Sequence, residues 1–150
     1  MKLLSSAFFW ITWPISWLFL HGSRRSRVLV IAEDSILLVK HWHGTGHWSL
    51  PGGGLHRREA PDVGAARELL EETAIKVATS QLIDLGVTRA KTKGIGYTAY
   101  LYAVELPELP DVQTQRFEIM EAAWHKLGDV RGDDVSIEVL RAVRRWRSLL

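Results

Sequence analysis

The stretch GGLHRREAPDVGAARELLEETAI, residues 53–75, decides the fold and the chemistry of this chain. Its second half predicts a helix over 62–73, because a proline and an aspartate stand at its start and apolar residues recur at helical spacing. Positions i, i+3 and i+4 of a helix are neighbours, so Glu68, Glu71 and Glu72 place three carboxylates on one face. Their mutual repulsion is costly without a cation, and carboxylate oxygens suit Mg²⁺ or Mn²⁺.

A glutamate cluster of this kind is most often a solvated helix face, which is the alternative to a metal site. Here the cluster comes with Glu59 upstream, with Arg67 directly before it, and with the run LPGGG at residues 50–54 between an apolar strand and the helix. So many constrained positions favour a metal site over a solvated face.

The same window resembles the Nudix box, Gly-x5-Glu-x7-Arg-Glu-U-x-Glu-Glu-x-Gly-U, in which U is a bulky aliphatic residue. The positions that fill it in register are Gly53, Glu59, Arg67, Glu68, Leu69, Glu71, Glu72 and Ile75. The one departure is Ala74, where the family usually has glycine. This residue is predicted to follow the last helical turn, where a positive φ costs alanine about 1 kcal/mol. The departure concerns the turn and not the metal chemistry.

The resemblance implies a hydrolase in which water attacks one phosphorus of a diphosphate linkage, with Mg²⁺ or Mn²⁺ as cofactor. On this resemblance Glu68 and Glu72 correspond to the main metal ligands. Glu71 corresponds to a ligand of a second ion or of its waters, and the carbonyl of Gly53 to a further ligand.

Other catalytic residues are implied by the same resemblance. Arg67 corresponds to the family arginine that orients the glutamates, and Glu59 is its expected partner. A further acid in the family lies before a strand that contains a tryptophan, and Glu118, ahead of Trp124, matches it best, with Glu121 as second choice. For either glutamate, an ordinary exposed side chain is the alternative.

The resemblance implies as substrate a nucleoside diphosphate linked to another group, and it indicates no specific nucleic acid. Trp48, Gly53 and Gly54 are the expected substrate contacts. Trp48 or Trp42 could stack on a base, and a place at a strand end in the core or at the surface is the alternative. Two other functions stay open: a catalytically silent Nudix-like nucleotide-binding module, and a membrane-surface hydrolase of lipid-linked diphosphates.

The rest of the chain predicts strands around this helix and a second helix at the end. Expected strands are residues 28–32 and 36–40, which form a hairpin, then 47–50, 82–90, 97–105 and 121–125. A last helix is expected from Asp133 or Asp134 to Leu149, and its core face is expected to carry Ile137, Leu140, Val143 or Arg144, and Trp146. The order β-β-α-β-β-β-α resembles the Nudix fold, an α/β arrangement in which a mixed sheet lies between helices.

Composition limits the classes of function. The chain has 150 residues and no cysteine, which excludes disulfides, thiolate metal sites and cysteine nucleophiles. The net charge is only +2, but arginines cluster at residues 24–27, 57–58 and 141–147. Such clusters either attract phosphate or are simply solvated.

Residues 3–20 contain no charged side chain and include three tryptophans. As a helix they would span about 27 Å, the lower limit for crossing a bilayer. We expect residues 1–22 to form a hydrophobic helix that spans or lies on a membrane. The second alternative is that this helix docks on a Nudix domain formed by residues 27–150. The third alternative is a cleaved signal peptide. The arginines after residue 22 favour a cytoplasmic domain, associated with the membrane through this segment.

Overall fold

The described part of the chain forms a five-stranded mixed sheet with one helix on each face. The computed structural model describes residues 23–42, 46–92, 94–114 and 119–150. The described strands are β1 (Arg24–Ala32), β2 (Ser35–His41), β3 (Ile83–Thr92), β4 (Ile95–Leu106) and β5 (Ile119–Lys126). The helices are α1 (Pro61–Thr73) and α2 (Ile137–Arg147), and a short 3₁₀ turn covers Thr79–Gln81. The predicted element order is therefore confirmed.

The strand order is β3-β4-β1-β2-β5. β1 runs parallel to β4 in continuous register, from Arg24 opposite Thr98 to Ala32 opposite Leu106. The other pairs, β1 with β2, β2 with β5 and β3 with β4, are antiparallel. Strands buried on both faces are expected to be continuously apolar, and from Val28 to Ala32 β1 has only buried aliphatic residues.

Alternate residues of each strand point to opposite faces of the sheet and produce two cores. On one face, α1 packs through Ala65 and Leu69 against a cluster that includes Val28 and Val30 of β1. On the other face, α2 packs against a cluster that includes Leu29. The predicted mixed sheet between helices is confirmed.

Two details of the predicted elements are wrong. The segment at 47–50 forms only isolated bridges, Val39 with Ser49 and Trp48 with Val135, and not a strand. Helix α2 begins at Ile137 after Ser136, because the chain at 132–134 forms a turn instead of a helical cap.

The core face of α2 was also partly mispredicted. Ile137 is 46% exposed, and the buried apolar residues are Val139, Ala142, Val143 and Trp146. These positions follow the spacing i, i+3, i+4 and i+7, which forms one narrow apolar stripe. Val143 and Trp146 were expected on it, and Ile137 lies outside it.

Neither described helix is long and apolar enough to cross a membrane. The hydrophobic segment 3–20, on which the membrane prediction rests, lies outside the described residues.

Candidate active site

The glycine-rich loop before α1 is held by the first strand of the sheet. β1 pairs with β2 next to the turn that connects them, through Ile31 and Ala32. Nearer the start of β1, its backbone forms hydrogen bonds with the glycine-rich loop. The amide of Ser26 donates to the carbonyl of Gly53 at 3.0 Å, and the amide of Val28 donates to that of Pro51 at 2.9 Å. Gly52 has φ +135° and lies against the backbone of β1, so a side chain there would be strained and would collide. The loop is thereby fixed beside the sheet.

Helix α1 presents its glutamates to this loop. Glu68 and Glu72 are buried, with only 3% and 1% of their surfaces exposed. The amide of Gly52 donates to Oε2 of Glu72 at 2.7 Å. Gly53 lies so close to Glu68 that an added β-carbon would be 2.7 Å from Oε2. Buried carboxylates need partners that compensate for lost hydration, and the amide of Gly52 supplies part of that compensation for Glu72.

Arg67 links four groups of the site. Its guanidinium binds Glu59 in two places, Nε to Oε1 at 2.7 Å and Nη2 to Oε2 at 2.9 Å. Nη1 donates to Oε1 of Glu68 at 2.6 Å and to Oε2 of Glu71 at 3.3 Å. Nη2 also donates to the carbonyl of Gly54 at 3.1 Å. The ion pair between Arg67 and Glu59 that the sequence predicted is therefore present, and its fork geometry fixes both partners.

These hydrogen bonds shift the pKa values of Glu59 and Arg67. The hydrogen bonds from Arg67, together with the amide of His56 at 2.8 Å, lower the pKa of Glu59 to about 2. Bonds to Glu59 and then to Glu68 raise the pKa of Arg67. Both groups are therefore charged at neutral pH.

His41, at the end of β2, lies beside the same helix. Its Nδ1 is 4.0 Å from Oε1 of Glu72. Burial, and then the positive charges of Arg27 and Arg25, lower the pKa of His41 to about 4. The imidazole next to Glu72 is therefore neutral at physiological pH.

A buried ion pair behind the loop was not predicted from the sequence. Nε of Arg27 in β1 lies 3.4 Å from Oε1 of Glu138 in α2, and both residues are buried. The guanidinium also donates through Nη1 to the carbonyls of Leu50 and Gly52. Burial alone would lower the pKa of Arg27, but the Glu138 carboxylate, Tyr97 and the Glu72 carboxylate together outweigh this effect and raise the pKa. The sequence offered one signal of this pair: Glu138 stands four residues before Ala142, so the two share one face of the helix.

Ala74, the residue that departs from the Nudix box, has the backbone conformation that the sequence predicted for it. Ala74 is the C-terminal cap, with φ 62° and ψ 8°, and its amide bonds to the carbonyl of Leu70. The prediction of a positive φ at this position is confirmed.

The structure brings together most of the residues selected from the sequence. Those gathered around the glycine loop and α1 are Gly53, Gly54, Glu59, Arg67, Glu68, Glu71 and Glu72. The ring of Trp48 instead meets His125 edge to face at 4.4 Å and lies 4.3 Å from Nζ of Lys40. Glu118 lies outside the described residues, and its role stays a prediction. Glu121 is exposed on β5 and pairs with Lys40 at 3.6 Å.

The donor set fits a hard divalent cation. Carboxylate oxygens are the ligands that Mg²⁺ and Mn²⁺ prefer, and those of Glu68 and Glu72 are buried beside a glycine that leaves room for them. The Gly53 carbonyl accepts one hydrogen bond from Ser26, and a carbonyl oxygen has two lone pairs. Within the described ranges no three acidic or histidine side chains converge on one point. Arg67 binds both Glu68 and Glu71 there and provides their positive counter-charge.

Comparison with known proteins agrees with this geometry. The NUDIX domain family matches residues 22–143. A MutT-like protein of Streptomyces ambofaciens is 43% identical over 67 residues, which are 45% of this chain and 42% of that protein. Diphosphoinositol polyphosphate phosphohydrolase 3-alpha of Mus musculus is 34% identical over 76 residues, 51% of this chain and 46% of that protein. The chain thus aligns with about half the length of the curated relatives it matches.

The likeness extends to solved structures. The MutT NUDIX hydrolase of Burkholderia pseudomallei superposes with a TM-score of 0.72 at 19% identity, covering 83% of this chain and 98% of that one. At this identity the likeness concerns the fold. Since the family match extends over most of the chain, the protein belongs to the NUDIX domain family.

Proposed function

We propose that this protein is a pyrophosphohydrolase that needs Mg²⁺ or Mn²⁺ and cleaves a diphosphate linkage. The observation that carries the proposal is the pair of buried carboxylates, Glu68 and Glu72, facing the glycine loop. Two acids one turn apart are costly to remove from water, and a divalent cation held by both would offset much of this cost. Membership of the NUDIX domain family supports the same conclusion.

Each residue of the site has a part in this proposal. Glu68 and Glu72 would hold the cation, with Glu71 on a second ion or its waters and the Gly53 carbonyl as a further ligand. The cation would supply positive charge to the phosphoryl oxygens and lower the pKa of a bound water. The amide of Gly52 orients Glu72. Arg67 orients Glu68 and Glu71. Glu59 in turn holds Arg67 in place.

For the substrate we propose a nucleoside diphosphate linked to another group. The name of the diphosphoinositol polyphosphate relative also concerns a phosphorylated small molecule, which is consistent with a diphosphate as the shared feature. Gly53 and Gly54 would lie against the phosphates, since a backbone without side chains permits close approach. Contact of Trp48 with the rest of the substrate, and participation of Glu118 in catalysis, are further parts of the proposal.

A second candidate is a hydrolase of lipid-linked diphosphates at a membrane surface. The uncharged, tryptophan-containing segment 3–20 favours it, because such a segment would bring the domain to its substrate. This candidate would place the domain on the cytoplasmic side of the membrane.

The test is a hydrolysis screen with the full-length protein and Mg²⁺ over nucleotide sugars, dinucleotides, nucleoside triphosphates, capped or triphosphorylated RNA and polyprenyl diphosphates. Glu68→Gln and Glu72→Gln keep the shape of the side chain but remove its charge, so turnover is expected to fall at least about a hundredfold. Glu108→Gln, in an exposed loop position, is the matched control and should keep full activity. Near-normal turnover in the doubly substituted protein would refute the mechanism. Metal binding without turnover on any substrate would favour the silent module, and detergent-dependent cleavage of polyprenyl diphosphates would favour the lipid candidate.

A further inference from the structure

A pocket lies away from the glutamates of α1, between the edge strand β3 and helix α2. It has a volume of about 510 Å³ and is lined by Val87, Thr88, Arg89, Arg141, Arg144 and Arg145. We call it the arginine pocket. Since α1 and α2 pack on opposite faces of the sheet, and no residue is shared with the box, the arginine pocket is distinct from the candidate active site.

Two of its arginines are fixed by the strand. Arg141 donates through Nη1 to Oγ1 of Thr88 and to the carbonyl of Arg89, both at 2.5 Å. Arg145 donates through Nη1 to the carbonyl of Leu85 at 2.9 Å and through Nη2 to that of Val87 at 3.0 Å. A guanidinium has five N–H donors, so each of these arginines keeps at least two for a ligand.

Hydrogen bonding to the edge strand accounts for the positions of Arg141 and Arg145. It does not account for the other two arginines. Arg89 and Arg144 are exposed, and neither makes a side-chain hydrogen bond within the described ranges. No carboxylate in the described part of the chain forms a salt bridge with any of the four. Four like charges around one pocket repel each other, and an anion is the group that would offset this repulsion.

We propose that the arginine pocket is a second binding site, which takes the phosphate group of a phosphorylated ligand. Arginine suits this group because its planar fork can bind two phosphate oxygens at once. Arg141 and Arg145 provide donors that are already positioned, and Arg89 and Arg144 provide flexible side chains that close on the anion. The phosphate could belong to a soluble molecule or to a lipid headgroup, and both sources have the same chemistry.

The experiment titrates inorganic triphosphate into the full-length protein in nonionic detergent, with EDTA present so that no divalent cation recruits the anion to the box. The test variant is Arg89→Gln/Arg144→Gln. The matched control is Arg131→Gln/Arg147→Gln, which removes the same charge from two exposed positions that do not line the pocket. In a second arm the proteins bind to phosphatidylcholine vesicles with or without phosphatidic acid.

Calorimetry should give saturable triphosphate binding that weakens at least about tenfold in the test variant and less than about twofold in the control. Extra binding to phosphatidic acid vesicles that is lost only in the test variant, with weak triphosphate binding, would assign the phosphate to a lipid. Strong triphosphate binding without that extra vesicle binding would assign it to a soluble ligand. The absence of both effects, or an equal loss in the two double variants, would overturn the proposal. Neither readout depends on hydrolysis, so the result is separate from the proposed activity.

Discussion

Glu68 lies against Gly53, where a β-carbon on the glycine would be 2.7 Å from Oε2 of the carboxylate. A β-carbon essentially never lies this close to another heavy atom, so a methyl group at residue 53 must displace the glutamate. The carboxylate is buried, and Arg67 holds its other oxygen at 2.6 Å. A shift of this group would therefore disturb a proposed metal ligand.

Gly53→Ala is expected to reduce turnover at least about tenfold, since small misplacements of reacting groups are costly. Gly128→Ala is the matched control, because Gly128 lies in an exposed turn after β5, a β-carbon there meets no atom within 4 Å and neither glycine has a positive φ. Steady-state kinetics on the best substrate of the screen would measure both. Equal activity of the two variants would mean that the position of Glu68 is unimportant.

The ion pair between Arg67 and Glu59 should make stability depend on pH in acid. The pKa of Glu59 is lowered from 4.5, its ordinary value, to about 2 in the folded protein. The stability that the ion pair contributes is therefore complete above about pH 4.5 and is lost as the pH falls toward about 2. Glu59→Gln should lower the free energy of unfolding by about 1 kcal/mol at neutral pH, the upper range for a partly exposed pair. Urea unfolding at several pH values should show this difference shrinking below about pH 4.5. A difference that stays constant down to pH 2 would contradict the assignment.

Arg27 and Glu138 form the buried pair that joins β1 to α2. Glu138→Gln should destabilise the protein by about 3 to 5 kcal/mol, because it leaves a buried guanidinium without its counter-charge. Arg27→Met/Glu138→Leu should recover much of this loss, since an apolar pair of similar size avoids buried charge. Denaturant unfolding would measure both variants.

The double variant should nevertheless lose activity, because Arg27 also binds the carbonyls of Leu50 and Gly52 in the glycine loop. A double variant as unstable as Glu138→Gln would show that the pair is not the source of the loss. Full activity in a stable double variant would show that Arg27 does not position the loop.

Ala74 has a left-handed backbone, with φ 62°, and this conformation costs alanine about 1 kcal/mol relative to glycine. Ala74→Gly should therefore raise the free energy of unfolding slightly and leave turnover within about twofold, since the glutamates lie earlier on the helix. Ala78→Gly is the matched control, because Ala78 has φ −80° and should lose stability on the same change. Thermal unfolding of both variants decides the point. Destabilisation by Ala74→Gly would contradict the stated backbone cost, and a tenfold rise in turnover would mean that the alanine holds the site in a poor arrangement.

Local features of the chain allowed much of this structure to be predicted from sequence. The hairpin at 28–40, the helix that carries the glutamates and the positive φ of Ala74 all depend on patterns within a few residues of one another. The pairing of Arg67 with Glu59 was implied by the resemblance to the Nudix box, and the structure contains it.

Long-range contacts were not accessible in this way. Arg27 and Glu138 are separated by 111 positions, and only the packing of α2 on the sheet brings them together. The bridges at Trp48 and Ser49 depend on where β2 and the segment before α2 happen to lie, so the local pattern overstated a strand. The arginine pocket also combines residues from β3 and α2 that no sequence motif connects.

The central claim is that the paired carboxylates of α1 bind a divalent cation, and it can be measured without knowing the substrate. Full-length protein is titrated with Mn²⁺ while the electron paramagnetic resonance signal of unbound Mn²⁺ is recorded, in parallel with Glu68→Gln/Glu72→Gln and the Glu108→Gln control. We expect the wild-type protein and the control to bind Mn²⁺ with the same affinity and the double variant to bind at least about a hundredfold more weakly, since each lost charge removes a preferred ligand. Equal binding by all three proteins, or none by the wild type, would contradict the claim.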